Sequence, residues 1–213
     1  MSKPVKKRPY VSALRQEQAA RTRSSIVEAA SELFVSAGYA RTAIKDVATR
    51  AGVAPDTVYA TFGNKVRVLT AVLDMRLAPG GEASIMDTAE PQAVRDEHDQ
   101  LRQIHLFARD MAEISARIRP IFEVLRTASA VEPEVAQVFA DMEQHRLAHM
   151  RQVARWLARR GPLKTSTDRA GEIIWALASP DVGRMLCDVQ GWSKAQHATW
   201  LEAMLVCALL PDV

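Results

Sequence analysis

Two histidines in the second half of the chain have the spacing most suited to coordination chemistry. His145 and His149 are four residues apart, so on one helix both imidazoles would point toward the same ion. No carboxylate or cysteine at ligand spacing completes such a site, and histidine pairs on helices more often pack and form hydrogen bonds. A metal-sensing role stays an alternative, and we predict neither a metal nor a cofactor.

Catalytic motifs are absent from the sequence, which has 213 residues. We find no nucleophile elbow, no phosphate-binding glycine loop and no His/Glu metalloprotease motif. Cys187 and Cys207 are too few and too far apart for a zinc cluster. We therefore predict that the protein is not an enzyme.

Polar side chains near residue 60 are of the kinds that contact DNA. A helix face of small polar groups can enter a major groove, and a lysine beside free backbone N–H groups can bind a phosphate. We predict DNA contacts by Thr42, Pro55, Asp56, Thr57, Tyr59, Ala60, Thr61 and Lys65.

Two short helices joined by a glycine must position these side chains. Thr42 is expected to cap the first helix with its hydroxyl, and apolar residues recur at helical spacing as far as Ala48. Gly52 is expected to end this helix in the left-handed conformation. The arrangement is that of a helix-turn-helix motif.

The second helix begins with Pro55 in its first turn, where no hydrogen bond is lost. Val58 and Phe62 lie one turn apart and should face the core, which leaves the polar face outward. Asn64 is predicted to cap the helix that follows, with Lys65 in its first turn. Ordinary helical bundles contain the same pattern, so the motif alone does not decide between packing and DNA binding.

The distribution of charge favours DNA binding. Residues 1–76 contain 13 Lys and Arg against 6 Asp and Glu, whereas residues 77–213 contain 15 against 19. A basic N-terminal part on a mildly acidic body is typical of proteins that bind DNA. Lys3, Lys6, Lys7 and Arg8 form either a flexible arm along the DNA or a solvated terminus.

The run from Ile26 to Leu73 resembles the N-terminal domain of the TetR family of bacterial transcriptional regulators. The resemblance implies three DNA-binding helices, a fourth helix linking them to a helical domain, and a dimer on a palindromic operator. It also implies a small-molecule effector that acts from the C-terminal domain. The matching residues are Ala29-Ala30, Leu33-Phe34, Gly38-Tyr39, Thr42, Ile44, Asp46-Val47-Ala48, Ala51-Gly52-Val53, Thr57, Val58-Tyr59, Phe62, Lys65 and Leu69.

Two departures from the family pattern lie in the second helix. Ala54-Pro55 stands where many members have a polar pair, so a capping hydroxyl is missing. Ala60 and Thr61 stand where aromatic residues, His or Arg are frequent. Fewer long side chains therefore reach the groove.

We predict an all-α fold, because prolines and glycines fall mainly between apolar segments of helical period. We predict a loop from Ala78 to Pro91. Arg119-Pro120 is predicted either to bend the chain or to begin a new helix. The predicted domains are a flexible basic arm (1–14), a helix-turn-helix domain (15–64), a linking helix (65–77) and a ligand-binding and dimerisation domain (78–213).

Polar groups on otherwise apolar helices of the second domain are candidates for a ligand pocket, with a fully packed core as the alternative. The predicted lining is His105, Arg109, Phe122, Met142, His145, His149 and Trp156. The last two helices have more apolar residues than one buried face needs, which favours a two-fold interface over a monomeric core. The predicted interface residues are Ile174, Val182, Met185, Leu186, Trp200, Leu201, Met204 and Leu205.

The function predicted from the sequence is a cytoplasmic homodimeric regulator with double-stranded operator DNA and an unidentified small molecule as partners. The family resemblance favours a repressor over an activator. A ligand between the fourth helix and the second domain would favour a dimer whose two DNA-contacting helices are too far apart to enter successive major grooves. No segment reads as a signal peptide or a membrane span. The alternative function is a helical ligand-binding or interaction protein without specific DNA recognition.

Overall fold

The computed structural model describes residues 10–79 and 85–211. Every regular element in these ranges is helical, which confirms the all-α prediction. Lys3, Lys6, Lys7 and Arg8 of the predicted arm lie outside the described residues. Helix α1 begins at Tyr10, so residues 10–14, which we assigned to the arm, belong to that helix.

The backbone divides into two compact units between Val72 and Leu73. This division lies inside the helix predicted over residues 65–77, whose role as a link between domains stays a prediction. The first unit contains α1 (Tyr10–Ala37), α2 (Ile44–Ala51), α3 (Pro55–Phe62) and the first part of α4 (Lys65–Leu77).

The second unit is also built from helices. Among the described residues, no helix is both long and apolar enough to cross a bilayer. After a 3₁₀ turn at Ile85–Asp87 come α5 (Ala89–Asp96), α6 (Gln100–Ser129), α7 (Pro133–Ala158), α8 (Thr167–Leu177), α9 (Pro180–Gly183), a π-helical turn (Arg184–Val189) and α10 (Lys194–Leu209).

Two prolines of the second unit lie inside helices, which corrects the predicted extension of the loop to Pro91 and the predicted restart at Pro120. Pro91 is in the first turn of α5, where its missing N–H leaves no hydrogen bond unmade. Pro120 lies inside α6, which runs through it without interruption. Ile118 and Ile121 on either side of Pro120 are both buried, and this packing offsets the one backbone hydrogen bond that proline removes.

All four helices of the first unit contribute buried residues to its core. Their buried residues recur at the three- and four-residue spacing of an apolar helix face. The Ser25 hydroxyl also donates to the carbonyl of Ala51 at 3.2 Å, which ties α1 to the end of α2. The most deeply buried residues are Ile26, Ala30, Phe34, Val47, Ala48, Val58, Val68, Leu69 and Val72.

A second core fills the other unit, where α7 and α8 lie very close together. A Cβ atom at Gly171 would be 2.7 Å from the Cα of Arg151, so only glycine allows this approach. The side chain of Gln103 donates to the carbonyl of Val94 at 2.7 Å and ties α5 to α6. The core consists of Val94, Ile104, Phe107, Ala108, Met150, Val153, Ala154, Trp156, Leu157, Ala170, Ile174, Ala178, Leu201, Leu205 and Leu209.

Candidate nucleic-acid interface

The turn between α2 and α3 has the geometry of a helix-turn-helix motif. Gly52 adopts φ 69° and ψ 32°, the left-handed conformation expected from the sequence. Its N–H donates to the carbonyl of Thr49 at 3.2 Å, and the N–H of Val53 donates to that of Ala48 at 3.0 Å. These bonds end α2, and α3 begins three residues after Gly52.

Thr42 does not cap α2, which corrects the prediction from the sequence. The residue at the cap is Ala43, whereas the Thr42 hydroxyl donates backwards, to the carbonyl of Gly38 at 2.8 Å. Thr42 is 3% exposed. Its side chain therefore holds the turn between α1 and α2 and has no free surface for DNA, so we remove it from the proposed contacts.

Helix α3 separates a buried face from an exposed one, as its pattern predicts. Val58 and Phe62 are 1% and 4% exposed and anchor α3 in the first unit. The guanidinium of Arg23 lies 4.5 Å from the centre of the Phe62 ring and joins α1 to α3. The candidates on the other side are exposed or half-buried: Pro55, Asp56, Thr57, Tyr59, Ala60 and Thr61.

The exposed face of α3 has hydrogen-bonding groups of limited reach. Tyr59 is 51% exposed and is its longest side chain. The hydroxyl of Thr61 donates to the carbonyl of Thr57 at 2.7 Å, so its oxygen keeps lone pairs that can accept from an N–H group of a base. Ala60 adds a methyl group, which can contact the methyl group of thymine.

Both ends of α3 lie close to positions where a phosphate can bind. Ala54 precedes the helix without a side-chain cap, which confirms that the capping hydroxyl is missing. After α3, the N–H of Arg67 donates to the side chain of Asn64 at 2.9 Å. Asn64 therefore caps α4, as predicted, and fixes the position of Lys65 in the first turn.

Lys65 is half-buried and does not extend freely into solvent. Its ammonium nitrogen lies 4.0 Å from the centre of the Tyr39 ring. A cation at this distance from an aromatic face is held electrostatically by the ring. The candidate phosphate contact is therefore ordered before any DNA arrives.

Two exposed cations of the first unit were not among the predicted contacts. Lys45 follows the first residue of α2, and Arg67 lies in the first turn of α4. The excess of basic residues over 1–76 is the signal that pointed to such contacts, but it does not identify which cations are free. Arg50, by contrast, forms an ion pair with Glu32.

The predicted pocket residues do not form one cluster. His105 and Phe122 are seventeen residues apart on α6, which is about 25 Å along the helix axis. The Nδ1 of His105 donates to the carboxylate of Glu202 at 2.8 Å near the surface. Arg109 is exposed, and Trp156 is part of the filled core. These three residues are therefore unsuited to a pocket shared with Phe122.

Of the predicted pocket residues, Phe122 contacts Phe139, a residue outside the prediction, where α6 packs against α7. The rings of Phe122 and Phe139 meet edge to face with centres 5.6 Å apart. Met142 and His149 follow Phe139 by three and ten residues, which places them along the same side of α7. Both side chains are half-buried.

The two histidines at helical spacing have different environments. His145 is exposed, whereas His149 is half-buried. Burial lowers the pKa of His149, and the neighbouring His145 lowers it further. Among the residues that the structure describes, no group of three or more His, Cys, Asp or Glu side chains is placed to hold a metal ion.

The predicted dimer residues separate into buried and surface groups. Ile174, Leu201 and Leu205 are fully buried in the core of their own unit, so their predicted place in the dimer interface is wrong. Helices with apolar residues on two faces do not reveal from sequence which face is internal. Met185 and Met204 are 49% and 37% exposed. The half-buried candidates are Val182, Leu186 and Trp200.

Comparison with known proteins identifies relatives along most of the chain. Residues 26–72 match the family model described as bacterial regulatory proteins, tetR family. Over 198 residues the chain is 29% identical to the HTH-type transcriptional regulator TtgR of Pseudomonas putida. That similarity covers 83% of this chain and 90% of TtgR.

Two solved structures have a similar fold. The complex of SmeT with triclosan has a TM-score of 0.71 and 21% identity, covering 90% of this chain and 92% of that one. SmeT is described as the repressor of a multidrug efflux pump of Stenotrophomonas maltophilia. NalD, a secondary repressor of a multidrug efflux pump in Pseudomonas aeruginosa, has a TM-score of 0.67 and 20% identity, covering 92% and 100%.

Proposed function

This chain belongs to the TetR family of bacterial regulatory proteins and is a DNA-binding transcriptional regulator, and we propose that it acts as a homodimeric repressor of a palindromic operator. Regulators of this family are not enzymes. The observation that carries the proposal is α3, anchored by Val58 and Phe62 with its opposite face exposed. Because operator DNA lies in the bacterial cytoplasm, the protein would act there.

Major-groove contacts are assigned to the exposed face of α3. Its short side chains favour recognition through close approach of the helix, with the Ala60 methyl and the Thr61 hydroxyl near base edges. Tyr59 and Lys65 bind the phosphate backbone on either side and fix the register of the helix. Pro55, Asp56 and Thr57 lie at the N-terminal end of α3, the end that approaches the bases in this motif.

Dimerisation matches two copies of α3 to successive major grooves. Their separation must be about 34 Å, one turn of the double helix. Met185 and Met204 supply exposed apolar surface for the contact between protomers. Val182, Leu186 and Trp200 are half-buried in one chain and become covered on pairing.

A small apolar molecule bound in the second unit releases the operator. The solved complex of SmeT with triclosan supports an aromatic effector here, as does the description of both SmeT and NalD as repressors of multidrug efflux pumps. The Phe122–Phe139 contact, with Met142 and His149 along the same side of α7, supplies apolar surface and one polar group for such a ligand. The effector favours the conformation with low affinity for DNA.

A randomised library of DNA duplexes tests the DNA-binding part of this proposal and does not require the operator sequence. The full-length protein should enrich an inverted repeat, and the selected duplex should bind far more tightly than a scrambled one. Affinity should fall steeply with salt, because phosphate contacts release counterions. Enrichment of no common sequence would contradict specific recognition.

Triclosan is the probe for the effector part. Added to the complex with the selected duplex, it should weaken binding about 5- to 150-fold, the range of typical allosteric coupling. A Met142→Trp variant, which puts a larger side chain at the proposed binding surface, should still bind the duplex but lose this response. Unchanged affinity in saturating triclosan would reject this effector class and leave DNA recognition intact.

A further inference from the structure

Tyr39 and Lys65 bring together two segments that are distant in sequence. Tyr39 lies in the turn between α1 and α2, whereas Lys65 is the first residue of α4. Their contact spans the helix-turn-helix motif from one end to the other. The Lys65 ammonium lies 4.0 Å from the centre of the Tyr39 ring, well within the range of a cation–π interaction.

The tyrosine ring is held firmly enough to define the position of the ammonium group. Tyr39 is 8% exposed, and its ring stacks on that of the fully buried Phe34 with centres 5.7 Å apart. The backbone N–H of Thr42 donates to the carbonyl of Tyr39 at 3.2 Å. The ring is therefore a fixed part of the first unit and does not move with the lysine.

A lysine side chain loses rotational freedom when its ammonium binds a phosphate, and this loss weakens binding. A lysine already held over a ring has lost much of that freedom before DNA binds. The ring interacts with one side of the ammonium, which has three N–H donors. A phosphate oxygen of the operator would approach the ammonium from a side other than the one that faces the ring.

We propose that Tyr39 is a positioning residue for DNA binding, and that its ring face holds the Lys65 ammonium where the operator backbone will lie. This inference rests on the proposed function, in which Lys65 binds a phosphate. Tyr39 acts through Lys65 and does not itself contact DNA. The aromatic face, rather than the phenolic hydroxyl, is the group that matters.

A double-mutant cycle on the duplex selected from the library tests this coupling. Tyr39→Phe keeps the ring and should bind within about twofold of the wild type, whereas Tyr39→Leu should bind about two- to fivefold more weakly, the range of an exposed cation–π contact. In a Lys65→Met background, Tyr39→Phe and Tyr39→Leu should bind equally well. An equal loss in both backgrounds would assign Tyr39 a purely structural role.

Stepwise fluorination of Phe at position 39 tests the same idea without removing the buried ring. Fluorine withdraws charge from the ring face and leaves its size nearly unchanged, so affinity should fall with each added fluorine when Lys65 is present. If affinity for the duplex rose with fluorination, the ring would be competing with phosphate for the ammonium, and the proposal would be overturned. An affinity that did not change with fluorination would also overturn it. If the wild type selects no duplex, the proposed function itself fails, which is a different outcome from a flat fluorination series.

Discussion

The hydroxyl of Thr42 donates to the carbonyl of Gly38 at 2.8 Å across the turn that joins α1 to α2. The same oxygen lies 3.2 Å from the carbonyl oxygen of Leu33, near the end of α1. Gly38 has φ 82°, so this turn depends on a left-handed glycine and on a buried hydroxyl. Thr42 thus helps to set the direction of α2 relative to α1, and the position of α3 follows from that of α2.

Thr42→Val removes this hydrogen bond and nearly preserves the shape of the side chain. It leaves the partly buried carbonyl oxygen of Gly38 without its donor, so the free energy of unfolding should fall by about 1–3 kcal/mol. Urea unfolding at fixed protein concentration measures the change. Thr42→Ser, which keeps the hydroxyl, is the control. If Thr42→Val left stability intact but abolished DNA binding, the assignment of Thr42 to the turn would be wrong.

Gly52 should be replaceable only by a residue that tolerates the left-handed conformation. A Cβ atom at Gly52 meets no other atom within 4 Å, so the cost of Gly52→Ala comes from φ 69° alone. We expect a loss of about 1–2 kcal/mol in the free energy of unfolding. Gly52→Asn should cost less, because Asn adopts this conformation more readily. Equal losses for both variants would point to a cause other than backbone conformation.

Asp110 on α6 should make stability depend on pH. Burial raises its pKa from the ordinary 3.8 to about 6, with Glu90 and Glu113 adding to the shift and Arg117 opposing it. Because the folded protein binds this proton more tightly than the unfolded chain does, the contribution of Asp110 to stability is largest below pH 4, falls as pH rises to about 6, and is level above that.

Asp110→Asn removes this titration. At pH 7.5 the variant should be more stable than the wild type by about 1–3 kcal/mol, since a shift of one pKa unit corresponds to about 1.4 kcal/mol. The two proteins should converge near pH 4. Urea unfolding of both across this pH range isolates Asp110 from other titrating groups. A difference that did not change with pH would show that Asp110 ionises normally.

The surface methionines should control dimer formation. Met185→Glu and Met204→Glu each place a charge on an exposed apolar position and should weaken self-association by tenfold or more, as roughly 1.4 kcal/mol of lost burial implies. Sedimentation equilibrium measures the dissociation constant. Val131→Glu, at a position 74% exposed in the loop between α6 and α7, is the matched control.

Leu205→Ala separates packing within a chain from pairing between chains. Leu205 is fully buried, so this change should lower the free energy of unfolding by about 2–5 kcal/mol. The surface methionine variants should leave stability nearly unchanged at concentrations where the protein is monomeric. If Met204→Glu destabilised the monomer as much as Leu205→Ala does, its side chain would belong to the internal core.

Local features of the first unit were predictable because they depend on neighbouring residues. Gly52 ends α2, Asn64 caps α4, and Val58 and Phe62 face inward, each as expected from spacing and residue type. Thr42 was assigned wrongly because a threonine before a helix can cap forward or bond backward. The sequence does not reveal that Gly38 places a carbonyl within reach of its hydroxyl.

The second unit was less predictable because its helices pack between segments far apart in sequence. Ile174 and Met185 are both apolar, and only the packing of α8 and α10 around the core shows that the first is internal and the second exposed. His105 and Phe122 both suit a pocket by type, but α6 holds them far apart. Pro120 lies within a continuous helix because residues on both sides of it are buried.

Hydroxyl-radical footprinting on the duplex selected by the protein tests the central claim, that paired α3 helices occupy successive major grooves. We expect two protected half-sites related by two-fold symmetry, with centres about 10 base pairs or a multiple of that apart. The variant Ala60→Glu, which places a charge on the exposed face of α3, should lose both half-sites while remaining folded. Weak, uniform protection along the duplex, unaffected by Ala60→Glu, would contradict the account.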